Sequence, residues 1–70
     1  MNGKLALRNL KALARRNSLS FRWVPQRGAG SHGTVYLGKS FAVLKDLKKD
    51  LGLGLLSDIC NQLGIRKEQL

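Results

Sequence analysis

The sequence predicts an α+β domain in which a helix, a three-stranded antiparallel sheet and a second helix follow one another along the chain. Apolar residues recur at helical spacing near the start and near the end of the sequence, and residues between these segments alternate with a period of two. Turn-forming glycines separate the segments. Because 70 residues leave no room for a second domain, we expect one domain over residues 1–70.

The first helix is predicted from Lys4 to Arg16 and is amphipathic. Asn17 and Ser18 follow it as helix-ending residues. Its apolar positions are Ala6, Leu7, Leu10, Leu13 and Ala14. Its basic residues on other faces are Lys4, Arg8, Lys11 and Arg15. The apolar stripe predicts packing against a core, and the charges predict a solvated face.

The first strand is predicted over Leu19–Gln26, where apolar and polar side chains alternate. Pro25 places the end of this strand at a sheet edge or in a loop, because proline has no N–H to donate to a neighbour. Three glycines lie within Arg27–Gly33. That density predicts a loop with backbone conformations that other residues disfavour.

Two short apolar runs, Thr34–Leu37 and Ser40–Leu44, are predicted to form a hairpin. Only Gly38 and Lys39 separate them, and a two-residue link that begins with glycine is typical of a type II′ turn.

The second helix is predicted over Leu55–Leu63, and Gly64 is a natural stop for it. The preceding segment, Lys45–Gly54, is charged and broken by glycines, so it fits either a turn of helix or a connecting loop. Residues Arg66–Leu70 are expected to add at most one frayed turn.

Composition points to a cytoplasmic protein. Apolar residues make up 43% of the chain, enough for one core, and the single cysteine cannot form an intrachain disulfide. Absence of disulfides fits a reducing compartment. No apolar run approaches the roughly 20 residues of a membrane span, so we expect no membrane partner.

The charge predicts a polyanionic partner. Thirteen Lys and Arg against four Asp and Glu give a formal net charge of +9. Nucleic acid is the first candidate, because each neutralised phosphate releases counterions whatever the base sequence. An anionic membrane surface or an acidic protein would also be attracted, and charge by itself does not indicate catalysis.

His32 is the only histidine and the strongest candidate for a catalytic residue. It lies at the end of the glycine loop, just before a predicted strand, where a side chain is both exposed and oriented. An imidazole titrates near pH ~6.5 in model peptides, so it can accept or donate a proton at cellular pH. RNA cleavage requires a base that takes the proton of the 2′-OH, a group that DNA lacks.

Supporting roles fall on neighbouring polar residues. Arg27 and Lys39 are candidates for binding the phosphate and stabilising its negative charge during cleavage. Tyr36, four residues after His32, is either a proton donor to the leaving oxygen or an ordinary sheet residue. Ser31 is expected to bind phosphate or the loop backbone, since no carboxylate is near to complete a hydrolase triad.

Metal and cofactor sites are not indicated. One histidine, the single Cys60 and four scattered carboxylates do not make a metal-ligand set, and Cys60 is predicted to be a core residue. Gly28, Gly30 and Gly33 shape the loop, but no Lys-Ser/Thr pair and no helix follow them as a P-loop requires. We therefore expect no metal and no small-molecule cofactor.

Two segments carry a family resemblance. One is Gly30-Ser31-His32 placed before the second strand, and the other is the closing segment Gly54–Ile65, which opens at a glycine and ends in an aliphatic residue, a glycine and another aliphatic residue. In these features, and over nearly its whole length, the chain resembles HicA-type mRNA-interferase toxins. It departs from their usual pattern at Ala29 and Gly33, on either side of the Ser-His pair.

The resemblance implies a fold like that of double-stranded-RNA-binding domains and ribosome-independent cleavage of mRNA without a metal. It also implies that His32 is the catalytic residue, and that a cognate HicB-type antitoxin protein neutralises the toxin by covering the active site.

Two other functions remain open. The first is a noncatalytic RNA-binding module in which His32 contacts a phosphate or a 2′-OH. The second is a helix-turn-helix DNA-binding protein, which the spacing of Cys60, Gly64 and Leu70 suggests. A recognition helix must follow such a turn, and we expect too few residues after Gly64 to form one.

Overall fold

The computed structural model describes residues 1–26 and 32–70 and confirms the predicted α+β order of helix, sheet and helix. A short 3₁₀ helix, η1, follows the second α-helix. The elements are α1 (Gly3–Arg16), β1 (Phe21–Pro25), β2 (Gly33–Leu37), β3 (Ser40–Leu44), α2 (Gly52–Leu63) and η1 (Lys67–Gln69).

The three strands form one antiparallel sheet in the order β1-β2-β3. Leu37 pairs with Ser40, so only Gly38 and Lys39 form the turn of the second hairpin, as predicted. Gly38 has a φ of 59°, whereas Lys39 does not have a positive φ, which is the sign pattern of a type II′ turn. Pro25 ends β1, an edge strand, also as predicted.

Strand register gives the sheet two different faces, since cross-strand partners lie on the same side. The inner face packs against the helices and carries Phe21, Trp23, Gly33, Val35, Leu37, Ala42 and Leu44. The opposite side, called here the outer sheet face, carries Arg22, Val24, Thr34, Tyr36, Phe41 and Val43. On β2 the inner residues are buried, whereas Thr34 and Tyr36 are partly or well exposed.

Aliphatic side chains fill the core, and both helices contribute to it. The buried apolar residues are Ala6, Leu10, Leu13, Ala14, Val35, Leu37, Ala42, Leu44, Leu51, Leu56, Ile59, Cys60 and Leu63. No polar or charged side chain is buried among the described residues. Burial of this apolar surface is therefore the main stabilising contribution to the fold.

The segment between β3 and α2 packs against the beginning of α1. The side chain of Asn2 caps α1 by accepting a hydrogen bond from the Leu5 N–H (2.8 Å). The Lys4 N–H donates to the Leu47 carbonyl (3.0 Å), and Asn2 forms an isolated bridge with Asp50. Contacts between residues nearly 50 positions apart thus hold this segment in place.

The second helix begins earlier than the sequence predicts, at Gly52 rather than Leu55. Gly52 has a φ of 69°, which favours glycine, and its N–H donates to the Asp50 carboxylate (3.1 Å). The buried Leu51 fixes the start of the helix against the core. Tertiary packing therefore overrides the low helix propensity of Gly52 and Gly54.

The first strand is shorter than predicted and Gly33 is not a loop residue. Strand β1 covers Phe21–Pro25 and omits the ends of the predicted range. Gly33 is the first residue of β2, pairs with Pro25 and is buried. A Cβ there would lie 2.5 Å from the Trp23 ring and 2.7 Å from the Val24 carbonyl oxygen. Glycine is required at position 33 because the Trp23 indole occupies the space that a larger side chain at this position would need.

The residues after α2 fold back onto α1. Gly64 ends α2 with a φ of 72°, the left-handed backbone conformation that glycine commonly adopts just after the end of a helix. The Arg16 guanidinium donates to the Gln69 carbonyl (3.2 Å), and Leu70 packs against the core. Since η1 has only three residues, the described chain holds no recognition helix of the kind that a helix-turn-helix needs.

Within the described residues, every helix is either too short or too polar to cross a lipid bilayer.

We expect Gly33→Ala to destabilise the chain by about 1–3 kcal/mol, because the new methyl group overlaps the Trp23 ring and the Val24 carbonyl. Urea denaturation measures the loss.

Gly54→Ala is the matched control, since a Cβ there meets nothing within 4 Å and alanine favours the helix. Its free energy of unfolding should stay equal or rise by up to ~1 kcal/mol. Equal stability of the Gly33→Ala variant and the wild type would contradict the packing described for Trp23.

Candidate functional site

The backbone of His32 is held by the sheet although it follows the predicted glycine loop. The His32 carbonyl accepts a hydrogen bond from the Gln26 N–H (2.8 Å), which extends the β1-β2 ladder one step beyond the Pro25-Gly33 pair. The residue is exposed. Strand alternation places its side chain on the outer side, since the next residue, Gly33, faces inward. His32 therefore combines an exposed imidazole with a fixed backbone.

Lys45 lines the same cleft as His32. Gly33 and Leu44 form the last pair of the β2-β3 ladder, and His32 and Lys45 are the residues that adjoin this pair in the chain. Lys45 is exposed. The sequence contains a signal for this arrangement, because the two-residue turn at Gly38 and Lys39 fixes that Gly33 pairs with Leu44. Sequence reasoning nevertheless missed Lys45.

The cleft lies between the end of the sheet, the segment before α2 and the beginning of α2, and has a volume of about 480 Å³. Its base is apolar and formed by Leu44, Leu51 and Ile59, all buried. Polar groups at its rim are His32, Lys45, Asp46, Lys49 and Asp50. A rim with two lysines and a histidine suits an anion, while the apolar base suits part of a ring or sugar.

The carboxylates at the rim are already engaged. Asp50 accepts hydrogen bonds from the N-terminal ammonium (2.6 Å) and from the Gly52 N–H (3.1 Å). The ammonium hydrogen bond is the main reason that the pKa of Asp50 lies below its usual value. Asp46 accepts from the Lys48 N–H (2.9 Å). In contrast, Lys45 and Lys49 make no ion pair within the described chain.

Positive charge is concentrated in the first two thirds of the sequence. All four acidic residues lie at position 46 or later, so α1 and the sheet carry cations only. Helix α1 adds a row of exposed side chains on one side, namely Lys4, Arg8, Lys11 and Arg15. The sheet and α1 therefore generate a positive potential that attracts polyanions.

Several predicted site residues lie outside the described residues. These are Arg27, Gly28, Gly30 and Ser31, together with the neighbouring Ala29. Their predicted roles in binding phosphate and shaping the loop stay predictions.

Tyr36 and Lys39 are not near His32. Tyr36 lies four positions after His32, a distance of about 13 Å along an extended chain, and side chains stand roughly perpendicular to the sheet. Lys39 lies in the turn at the far end of β2, about 20 Å from His32 along the strand. Neither side chain is therefore within reach of the His32 imidazole. Both are exposed.

Cys60 is a core residue, as predicted, and its side chain is only 2% exposed. Burial raises the pKa of its thiol, which disfavours the nucleophilic thiolate. Among residues 1–26 and 32–70, no three His, Cys, Asp or Glu side chains are grouped so that they could hold a metal ion.

Comparisons of the chain with protein-family models, with curated proteins and with solved structures found no match.

We expect the Cys60 thiol to react with iodoacetamide far more slowly in the native chain than in the unfolded chain, because it is buried and protonated at neutral pH. Mass spectrometry of samples alkylated with and without concentrated urea measures the difference. Equal rates in the two conditions would show that the helix face of Cys60 is open to solvent.

Proposed function

We propose that this chain is an endoribonuclease of the HicA mRNA-interferase type, which cleaves mRNA with His32 as general base and acid. One observation supports it above the others: an exposed imidazole on a fixed backbone lines a cleft together with Lys45 and Lys49. A general base needs to be both accessible and oriented. A lysine in the same cleft supplies the positive charge that a phosphodiester requires.

The proposed reaction proceeds in one displacement. Neutral His32 takes the proton of the ribose 2′-OH while that oxygen forms a bond to the adjacent phosphorus. The bond from phosphorus to the 5′ oxygen breaks, and that oxygen receives from the His32 imidazolium the proton that the ring took from the 2′-OH, giving a 2′,3′-cyclic phosphate, a 5′-OH and neutral His32. Lys45 and Lys49 offset the negative charge that develops on the phosphorane oxygens. No metal has a step in this scheme.

The proposal also includes a fold family, an antitoxin partner and a cellular location. Helices on one side of a three-stranded antiparallel sheet, in the observed order, are compatible with a double-stranded-RNA-binding-domain-like fold. A HicB-type antitoxin would be an acidic protein that covers His32 and the two cleft lysines, and mRNA as substrate implies action in the cytoplasm. Net charge of +9 supports both partners, because mRNA and an acidic protein are anionic.

We expect the purified chain to degrade RNA in the presence of EDTA, and His32→Ala to lower the rate by roughly 10²–10⁴-fold, since the base that activates the 2′-OH is gone. Gel electrophoresis of a labelled RNA measures the rate.

Circular dichroism and RNA binding by the His32→Ala chain are the controls, and both should match the wild type. Cleavage at the wild-type rate by the variant would remove His32 from the mechanism. RNA binding without any cleavage by the wild type would favour a noncatalytic RNA-binding module instead.

Lys45→Ala should weaken binding of single-stranded RNA and flatten its salt dependence by about 0.7 in the slope of log K against log salt, because one phosphate contact is lost. Fluorescence anisotropy at several salt concentrations measures the slope.

Lys48→Ala is the matched control: it removes the same charge from the same segment, but Lys48 does not line the cleft. The control should leave the slope and the cleavage rate close to wild type. Equal effects of the two substitutions would mean that net charge alone, and not the position of Lys45 in the cleft, governs RNA binding.

A further inference from the structure

The outer sheet face carries an exposed pair of aromatic rings. Tyr36 and Phe41 are direct cross-strand partners, with ring centroids 6.0 Å apart and ring planes tilted by 39°. Their side chains are 41% and 59% exposed. The protein has only four aromatic residues in total. Half of its aromatic residues therefore lie at the surface and not in the core.

Cations surround these rings. Arg22 is the cross-strand partner of Tyr36 on the other side, so Arg22, Tyr36 and Phe41 form one row across the sheet. Lys39 follows at the hairpin turn, and Lys45 lies just after the opposite end of β3, in the cleft that His32 also lines. The three strands contain no carboxylate. An aromatic surface with cations at both ends and no anion between them matches a chain of bases joined by phosphates.

We infer that the outer sheet face binds single-stranded RNA by stacking its bases on Tyr36 and Phe41, with the strand running along β2 toward His32. The inference deepens the proposed function and rests on it, since it takes RNA as the ligand. Unpaired bases are required because a duplex hides the faces of its bases. The direction along β2 follows from alternation, which sets His32, Thr34 and Tyr36 on one side.

The size of the apolar patch favours RNA over a protein on this face. Two half-exposed rings present roughly 200 Å² in total, since an aromatic side chain has roughly 150–250 Å² of surface to bury. A stable protein interface buries about 800 Å² on each partner. Val43, 52% exposed, adds only one small side chain. These side chains supply only a small part of the surface that a protein interface requires, whereas two stacked bases require no more than two rings.

A substrate-binding role also fits the distance between Tyr36 and His32, which are about 13 Å apart along the extended chain. A proton donor at that distance does not reach the reacting phosphate. An aromatic ring at that distance can instead stack on another base of the same RNA. Such stacking would hold the RNA so that its backbone passes His32. Tyr36 and Phe41 are thus positioned to bind substrate and to determine that it is single-stranded.

The test uses the full-length chain with His32→Ala, so that RNA stays intact during binding. Affinity for a labelled single-stranded 12-nucleotide RNA is measured by fluorescence anisotropy, with a duplex of the same sequence alongside. Adding Phe41→Ala or Tyr36→Ala should weaken single-strand binding roughly 5- to 150-fold, since stacking on one ring is worth about 1–3 kcal/mol per base. Phe41→Trp and Tyr36→Phe keep a stacking ring and should bind as the parent does.

Leu5→Ala is the matched control, because Leu5 is also 41% exposed but lies on α1, away from the outer sheet face. Its RNA affinity should equal that of the parent. The inference would be overturned if Phe41→Ala and Tyr36→Ala both bound single-stranded RNA as tightly as the parent while their circular dichroism spectra matched that of the parent.

Two further outcomes separate the inference from the proposed function. Wild-type cleavage of RNA together with full binding by the alanine variants would leave the nuclease proposal standing and overturn the stacking surface. Loss of binding in those variants without any cleavage by the wild type would support the stacking surface and overturn the nuclease. Sedimentation of a dimer that Phe41→Ala dissociates would assign the face to a protein and also overturn the inference.

Discussion

The register of the β2-β3 hairpin is the constraint on which the rest of the structure depends. Because the turn has only two residues, Gly38 and Lys39, every residue of β2 has one fixed partner on β3. A slip of one position would exchange the two faces of a strand, sending buried Val35 to solvent and exposed Tyr36 to the core. The same register brings together Gly33 and Leu44, the residues next to His32 and Lys45 in the cleft. One short turn thus determines both the core and the site.

The two faces of the sheet divide stability from function. Aliphatic side chains from α1, α2 and the inner face bury nearly all the apolar surface that holds the chain together. The outer sheet face contributes little to that core. Its side chains are therefore not constrained by core packing and are available to contact a ligand. Its exposed rings, and the cations at its two ends, are therefore more informative about function than the buried residues are.

Most of the fold could be predicted because its signals are local. The hairpin follows from one glycine between two apolar runs, and α1 from its apolar spacing. The early start of α2 could not be predicted, because it depends on contacts between the beginning of the chain and the segment before Gly52. Uniqueness and position made His32 a candidate, whereas Lys45 became one only when the cleft between the sheet and α2 was known. The separation of Tyr36 from His32 likewise required the strand geometry.

The chemical identity of the cleavage products tests the central claim most directly. If the 2′-OH attacks the phosphate beside His32, mass spectrometry of the fragments should show a 2′,3′-cyclic phosphate on one side of each cut and a 5′-OH on the other. An RNA with a single 2′-deoxy sugar at a cut site should survive there. Fragments with a 5′-phosphate and a 3′-OH, or cleavage at the deoxy position, would contradict the account.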